Sequence, residues 1–212
     1  MKSINQKKIW DELAYKKSFT TPLNIDLVNK YIQKDAVVLD VGCGYGRSLN
    51  ELYLNGFNRL YGIDFSEKMI ERAKSQYPFL NLKVQENKNI NFVDNTFDAV
   101  LLFAVLTCIP KNSDQLHLLK EIKRVLKPGG VIYINDFLLN TDERNRNRYE
   151  LFYKKHTLYG IFELPEGLIL RHHSLEWVNE CIQVFTPRFF KTFIFSTMNG
   201  NHSNAYSFIG NK

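Results

Sequence analysis

The sequence predicts an α/β fold built around a mostly parallel sheet, and three observations support it. Apolar runs of strand length alternate with runs of helical period along the chain. Some of these runs are apolar throughout, as in Phe97–Phe103, which is typical of a parallel strand covered on two faces. The last two apolar runs, Phe189–Thr197 and Ala205–Gly210, are joined by a turn-rich loop, which predicts an antiparallel hairpin. A length of 212 residues suits one domain.

The segment Val37–Ser48 predicts a ligand-binding strand, loop and helix. A buried strand ending near Asp40 is followed by glycines at alternate positions, namely Gly42, Gly44 and Gly46. These residues permit unusual backbone angles and let a ligand approach the main chain, and the next helix adds free N–H groups. A dinucleotide-binding loop would need a third glycine at position 47, where this chain has Arg47. A nicotinamide dehydrogenase is therefore the least favoured enzyme class.

A second acidic residue follows the next strand. Asp64 ends the predicted strand Arg59–Asp64 and stands 24 residues after Asp40. A carboxylate at this position is placed to accept hydrogen bonds from ribose hydroxyls, although it equally suits an ordinary Asp turn. Ser66 is a plausible N-cap for the next helix, and Leu80–Glu86 is the predicted third strand.

Four stretches together resemble the class I S-adenosyl-L-methionine (SAM)-dependent methyltransferases of the small-molecule type. They read VVLDVGCGYGRS, GIDFSEKMIERAK, NKNINFVDNTFDAVLLF and LKEIKRVLKPGGVIYINDF, and they span residues 37–137. The resemblance implies a three-layer Rossmann-like sandwich with a seven-stranded, mostly parallel sheet and an antiparallel C-terminal hairpin strand. It also implies SAM as cofactor and S-adenosyl-L-homocysteine as product.

The same resemblance implies a cofactor site. In the family, the acidic residue after strand two grips the ribose, and an acidic residue after strand three holds the adenine amino group, where this chain has Glu86 instead of the commoner aspartate. The implied cofactor-binding residues are Asp40, Gly42, Cys43, Gly44, Asp64, Phe65, Met69, Glu86, Asn87 and Phe103.

The resemblance divides the single domain, residues 1–212, into four parts. Residues 1–35 are predicted to be helical, and Trp10, Tyr15 and Phe19 there either pack on the sheet or form a lid over the cofactor. Residues 36–137 are the SAM-binding core. Residues 138–173 are an insertion on the substrate side, with a short helix at Tyr149–His156 and a hairpin at 160–171. Residues 174–212 hold the C-terminal helix, with Ser174 as its N-cap, and the C-terminal hairpin.

Candidate substrate-binding residues lie in the N-terminal segment, in the loop after strand four and in the region after residue 137. They are Tyr15, Thr107, Cys108, Arg171 and Asn199. Cys108 either lines the pocket or acts as a nucleophile, with no base near it in sequence. Arg171 is suited to an anionic substrate group, and turn formation is the alternative for Asn199.

The sequence leaves the catalytic base unassigned. Methyl transfer is an in-line displacement that depends on orientation more than on covalent chemistry, so the absence of an obvious triad is expected. The candidate bases are His156, His172 and His173, and each is equally suited to a structural hydrogen bond. Strand alternation would send Arg171 and His173 to one face and His172 to the other.

Composition limits the partners and the compartment. The net charge is +6 with scattered basic residues, the densest lying between Arg144 and Lys155. This charge keeps nucleic acid, for example tRNA, as an alternative acceptor, but FAVL after strand four differs from the tetrapeptide of amino-group methyltransferases. Three cysteines without paired spacing favour a reduced, cytoplasmic protein, and no apolar run predicts a membrane span or a signal segment.

We therefore expect a methyltransferase for a small-molecule acceptor, as monomer or homodimer, with no metal. The alternatives are an RNA methyltransferase and a non-catalytic SAM-binding partner subunit, which no residue of the sequence excludes.

Overall fold

A computed structural model describes residues 6–212, so the part of the predicted N-terminal helical region at residues 1–5 lies outside it. The described residues contain these strands: β1 Val37–Val41, β2 Arg59–Asp64, β3 Asn81–Val84, β4 Phe97–Phe103, β5 Leu126–Phe137, β6 Ile161–Glu163, β7 Ile169–Arg171, β8 Thr186–Ser196 and β9 His202–Asn211. Seven strands form one sheet in the order β3-β2-β1-β4-β5-β9-β8, and β6 pairs with β7 separately.

The sheet has the predicted mixture of directions. Strands β1 to β5 pair in parallel, whereas β9 is antiparallel to its neighbours β5 and β8. The predicted Rossmann-like sandwich with an antiparallel C-terminal hairpin is therefore confirmed. Strand β3 is shorter than predicted, while β5, β8 and β9 are longer, and β5 begins at Leu126 because Leu126 pairs with Phe97 across a register shift.

Helices cover the two faces of the sheet. Their bounds are α1 Gln6–Leu13, α2 Ile25–Tyr31, α3 Arg47–Leu54, α4 Glu67–Gln76, α5 Asn112–Val125, α6 Glu143–His156 and α7 Leu175–Ile182, and a 3₁₀ turn spans Leu106–Cys108. One apolar core contains buried residues of α1 to α4, such as Trp10 and Leu49. The other contains those of α5 and α7, such as Ile122 and Trp177. None of the helices in residues 6–212 is long and apolar enough to cross a membrane.

Polar side chains mark where the helices begin. Ser66 accepts a hydrogen bond from Met69 N, and Ser174 accepts one from Trp177 N, as predicted for N-caps. Helix α2 begins at Ile25, because the Asn24 side chain accepts from Leu27 N and caps it.

The insertion folds as a helix and a hairpin. The hairpin of β6 and β7 is confirmed, but α6 begins at Glu143, well before the predicted start at Tyr149. Asp142 sets this start because its carboxylate accepts from Asn145 N. The backbone then turns at Gly160, whose carbonyl accepts from His172 N, and this bond holds the start of β6 against the end of β7.

The loop of the C-terminal hairpin and the C-terminal end of β9 lie at opposite ends of the strands. Phe137, at the carboxyl end of β5, pairs with Ala205, and Val131 pairs with Asn211. The loop between β8 and β9 therefore lies at the carboxyl edge of β5. At the other edge, Lys212 N donates a hydrogen bond to Gly130 O.

Candidate active site

A cavity of about 480 Å³ lies at the carboxyl ends of the parallel strands. Its walls include the ends of β1, β2 and β4, the residues after β3, the N-terminal segment, the insertion and the loop between β8 and β9. This is the edge at which open α/β sheets bind ligands. All ten residues implied as cofactor-binding by the sequence line this cavity.

Asp40 supplies an uncommitted buried carboxylate. Its side chain is 3% exposed, and within residues 6–212 no group donates a hydrogen bond to it. The pKa of Asp40 is raised to about 8, chiefly by burial, with Arg47 opposing the shift and Asp64 adding to it. A cation bound in the cavity would therefore favour the ionised form of Asp40.

Asp64 fixes the glycine loop to the end of β2. Its Oδ2 accepts from Gly44 N at 2.9 Å, and its Oδ1 accepts from Ser66 N at 2.8 Å. Burial raises the pKa of Asp64 to about 6, against the opposing effect of these two N–H groups. The turn role considered from the sequence is thus present, in a carboxylate that also faces the cavity.

Glu86 completes an arc of three carboxylates with Asp40 and Asp64, which we call the acidic end of the cavity. Unlike the other two, the Glu86 side chain is largely exposed, and Lys7 of α1 lies 3.3 Å from its Oε1. Neighbouring Asn87 also lines the cavity. The sequence prediction that these carboxylates share one hollow is in agreement with this arrangement.

The glycine loop leaves no room for side chains. Gly42 and Gly44 have φ values of 73° and 53°, in the left-handed region. A Cβ on Gly42 would lie 2.4 Å from Val105 Cγ2, and one on Gly44 would lie 2.3 Å from Phe19 Cε2. The N-terminal segment therefore packs directly against the loop.

Two of the three N-terminal aromatic residues reach the cavity. Phe19 stacks on Tyr45, meets the ring of Trp10 edge-on and lines the cavity together with Trp10. Tyr15 does not join them, because its side chain is 66% exposed and lies outside the cavity. The helix α1 ends at Leu13, so Tyr15 falls in the turn that follows, facing solvent.

Lys17 links the N-terminal segment to two other parts of the cavity wall. The Lys17 ammonium donates to Asn199 Oδ1 at 3.0 Å and lies 2.9 Å from Glu166 Oε1. It thereby joins the N-terminal segment to the hairpin turn of the insertion and to the loop between β8 and β9. Asn199 lines the cavity, where its carbonyl oxygen is occupied by this contact.

Hydrogen bonds to Asp136 and Arg171 hold the loop after β4 in place. Thr107 N lies 3.2 Å from a carboxylate oxygen of Asp136, and Thr107 Oγ1 donates to Arg171 O at 2.7 Å. Asp136 is buried, which raises its pKa to about 7. Sequence reasoning missed this residue, which lies within an apolar strand that gave no sign of an internal acid.

Cys108 lines the cavity as a thiol. Its Sγ donates to Ala104 O at 3.4 Å, and burial raises its pKa far above neutrality. A protonated thiol is a poor nucleophile, so the geometry supports a pocket-lining Cys108 rather than a nucleophilic one.

The Arg171-His172-His173 triplet alternates as predicted, and only His172 reaches the cavity. The Arg171 guanidinium points the other way, donating to Pro110 O and Asn112 Oδ1. His173 lies 2.9 Å from the Gln115 side chain on that same opposite face. These contacts correct the assignments of Arg171 to substrate and of His173 to catalysis, since local partners hold them outside the cavity.

His156 also lies outside the cavity. It ends α6, and its Nε2 is 2.9 Å from Glu163 Oε1 on β6. This contact joins the helix to the hairpin of the insertion, so the candidate base at position 156 is corrected to a structural contact.

The environment of His172 fixes its tautomer. Its Nδ1 lies 2.6 Å from the Tyr149 hydroxyl and 3.0 Å from Asn140 Nδ2, and Asn140 Oδ1 accepts from Asn204 N. Because the Asn140 amide nitrogen can only donate, Nδ1 is the acceptor and Nε2 carries the proton. Burial lowers the pKa of His172 well below 6.5, so the ring is neutral near pH 7. His172 therefore offers the cavity a hydrogen-bond donor rather than a base.

Comparison with known proteins shows what the chain is similar to. Residues 39–134 match the methyltransferase domain family. The chain is 32% identical over 169 residues to a demethylmenaquinone methyltransferase of Staphylococcus epidermidis, a match covering 77% of this chain and 61% of that protein. A SAM-dependent methyltransferase structure from Methanosarcina mazei superposes with a TM-score of 0.83 at 26% identity, covering 88% of this chain and 96% of that one.

Residues 39–134 form a methyltransferase domain, and the chain is similar to SAM-dependent methyltransferases. A demethylmenaquinone methyltransferase of Bacillus cereus is 34% identical over 130 residues, covering 58% of this chain and 54% of that protein. The chain thus spans less than two thirds of the length of these curated relatives.

The cavity also has lining residues that the sequence did not indicate as ligand-binding. Arg144 and Arg148 of α6 line the cavity together with Phe137 and Phe162. Their spacing of four residues places the two arginines on one helical face. The four-residue spacing is visible in the sequence, but it places both arginines on one helical face only if the helix begins before position 144.

Proposed function

We propose that this methyltransferase transfers the methyl group of SAM to a small-molecule acceptor. The observation that carries the proposal is one continuous cavity with three carboxylates beside a glycine loop at one end and the insertion at the other. The names of the demethylmenaquinone methyltransferases among its relatives support a small acceptor.

The residues of the acidic end suit SAM chemically. In this proposal the Asp64 carboxylate binds the ribose hydroxyls, and Glu86 and Asn87 bind the adenine. The glycine loop permits close approach of the ligand to the main chain. Asp40, to which no group in residues 6–212 donates a hydrogen bond, faces the cationic methionine portion. SAM supplies an electrophilic methyl group when bound.

The chain would contribute position and exclusion of water. A lone pair of the acceptor forms a bond to the methyl carbon while the carbon–sulfur bond breaks, and its electrons stay on sulfur as a neutral thioether. The acceptor proton, where there is one, leaves to water. Holding the reactants in line contributes effective molarities of about 10⁵ M or more. Phe19 and Trp10 keep water from the reacting atoms, and neutral His172 holds the acceptor through its Nε2 proton.

SAM binding is expected to release a proton at pH 7. The pKa of Asp40 is about 8 without ligand, so the group is mostly protonated at pH 7, and an adjacent cation favours its ionised form. Affinity should therefore rise by up to about tenfold per pH unit from pH 6 to 8 and level off above the pKa of Asp40. Calorimetric titration at pH 7 in two buffers of different ionisation enthalpy measures the released proton.

The Asp40→Asn variant is the control for this linkage. It should bind SAM with a smaller proton release at pH 7 and a flatter pH profile. Equal heats in the two buffers for the unaltered protein would remove Asp40 from the cationic contact.

The reaction is tested by incubating the protein with methyl-labelled SAM and separate fractions of a cell extract. Label should enter the fraction below about 3 kDa and require intact protein. Transfer to bulk RNA instead would favour the nucleic-acid alternative, and absence of transfer to any fraction would favour a non-catalytic SAM-binding subunit.

A further inference from the structure

We infer that the acceptor carries an anionic group and that Arg148 is the residue that binds it. The inference rests on the proposed function and assigns a substrate class to the cavity end farthest from the carboxylates. We call this the insertion end, formed by Phe137, Arg148, Phe162 and His172.

Arg148 is a cation without a carboxylate partner. Within residues 6–212, no Asp or Glu oxygen lies within 4.0 Å of its guanidinium, and its Nε is buried with no hydrogen-bond partner. The guanidinium carbon lies 3.4 Å from the ring centroid of Phe162. Neighbouring Arg144 is more exposed and has Asp142 at 3.9 Å.

Leaving this cation unpaired costs free energy. Burial lowers the pKa of Arg148, which shows how far its charged form is removed from water, yet a guanidinium remains charged at neutral pH. The Tyr149 hydroxyl is a polar neighbour that carries no full charge. An anion bound here would compensate the charge, which gives the site a strong preference for anionic ligands.

The geometry also suits a carboxylate or a phosphate. Stacking on Phe162 occupies one face of the guanidinium and leaves its N–H edge for paired oxygen atoms. Phe137 lies parallel to the His172 ring at 5.3 Å and provides an apolar wall. A planar, apolar body with an anionic substituent therefore matches the insertion end.

The three carboxylates of the acidic end lie apart from Arg148. The acidic end lies over β1 to β3, whereas the insertion follows β5, which is three strand positions from β2 in the sheet, or about 14 Å at usual strand spacing. The insertion end has no carboxylate among its four defining residues. A cationic cofactor at one end and an anionic acceptor at the other would each find the opposite charge.

The test measures binding of matched aromatic probes to the protein saturated with S-adenosyl-L-homocysteine. Benzoate and phenyl phosphate carry an anion, and benzamide has nearly the shape of benzoate without its charge. We expect at least one anion to bind ten times or more tighter than benzamide by calorimetry. Benzoate alone would indicate a carboxylic acid, and phenyl phosphate alone a phosphate ester.

Matched variants locate the preference. Arg148→Gln should reduce it to less than threefold, Arg148→Lys should keep part of it, and Arg146→Gln on the exposed side of the same helix should leave it unchanged. Equal affinity for benzoate, phenyl phosphate and benzamide in the unaltered protein overturns the inference, as does a preference that survives Arg148→Gln. The comparison of the three probes uses the unaltered chain and therefore does not depend on the folding of any variant.

Binding of S-adenosyl-L-homocysteine separates this inference from the proposed function. A thermal shift with that ligand and no anion preference would reject the inference of an anionic acceptor and leave the proposed function standing. Failure of the ligand to bind would reject the proposed function itself.

Discussion

Asp64→Asn is expected to weaken SAM binding at pH 8 by about 30-fold or more. At this pH Asp64 is ionised, because its pKa is about 6. Hydrogen bonds to a charged group contribute about 1.5–3 kcal/mol each, so losing the charge toward a ribose diol accounts for an effect of this size. The asparagine amide also has one acceptor oxygen for the two N–H groups of Gly44 and Ser66. Isothermal titration calorimetry gives the affinity.

Asp98→Asn is the matched control for this prediction. Asp98 accepts from Val37 N and pairs with Lys127, at the edge of the sheet opposite the cavity. The same chemical change there should lower thermal stability and leave SAM affinity within about twofold. If Asp64→Asn folded normally and bound SAM with unchanged affinity, the ribose assignment would be wrong.

Gly44→Ala is expected to reduce SAM affinity by about 10- to 100-fold. The residue has φ of 53°, where an L side chain is strained by about 1–2 kcal/mol, and the new methyl would lie 2.3 Å from Phe19 Cε2. Phe19 would have to move away from the glycine loop, which would disrupt the packing of the N-terminal segment. The new methyl group would also narrow the approach of a ligand to the main chain. Calorimetry and a thermal melt of the same sample separate binding from stability.

Gly56→Ala provides the comparison for the backbone effect. Gly56 has φ of 89°, and nothing lies within 4 Å of the position of its Cβ. It should lose stability through backbone strain alone and bind SAM as before. Equal losses of affinity in the two variants would show that strain, rather than contact with Phe19, is responsible.

The core of the fold was predictable because its signals are local. Val37–Val41 and Phe97–Phe103 are apolar throughout, and each is bounded by residues that end a strand or begin a helix. The caps at Ser66 and Ser174 follow from one side chain and the N–H three residues on. Carboxylates at the ends of adjacent parallel strands meet at one edge, so the acidic end was predictable as well.

The insertion end was less predictable because its contacts are long-range. The polar stretch before position 149 was not recognised as helical, so the shared face of Arg144 and Arg148 was not apparent. Whether Arg171 or Arg148 faces the cavity depends on how the insertion packs against α5 and α7. That packing buries Arg171 beneath Trp177 and leaves Arg148 beside Phe162.

The position of Lys212 has a practical consequence for these measurements. Its backbone N–H is bonded to Gly130 O and its ammonium to Leu126 O, at the sheet edge opposite the cavity. An affinity tag or a tether to a sensor chip joined after Lys212 would leave from that side. The protein can therefore be immobilised through this residue while its ligand entrance faces the solution.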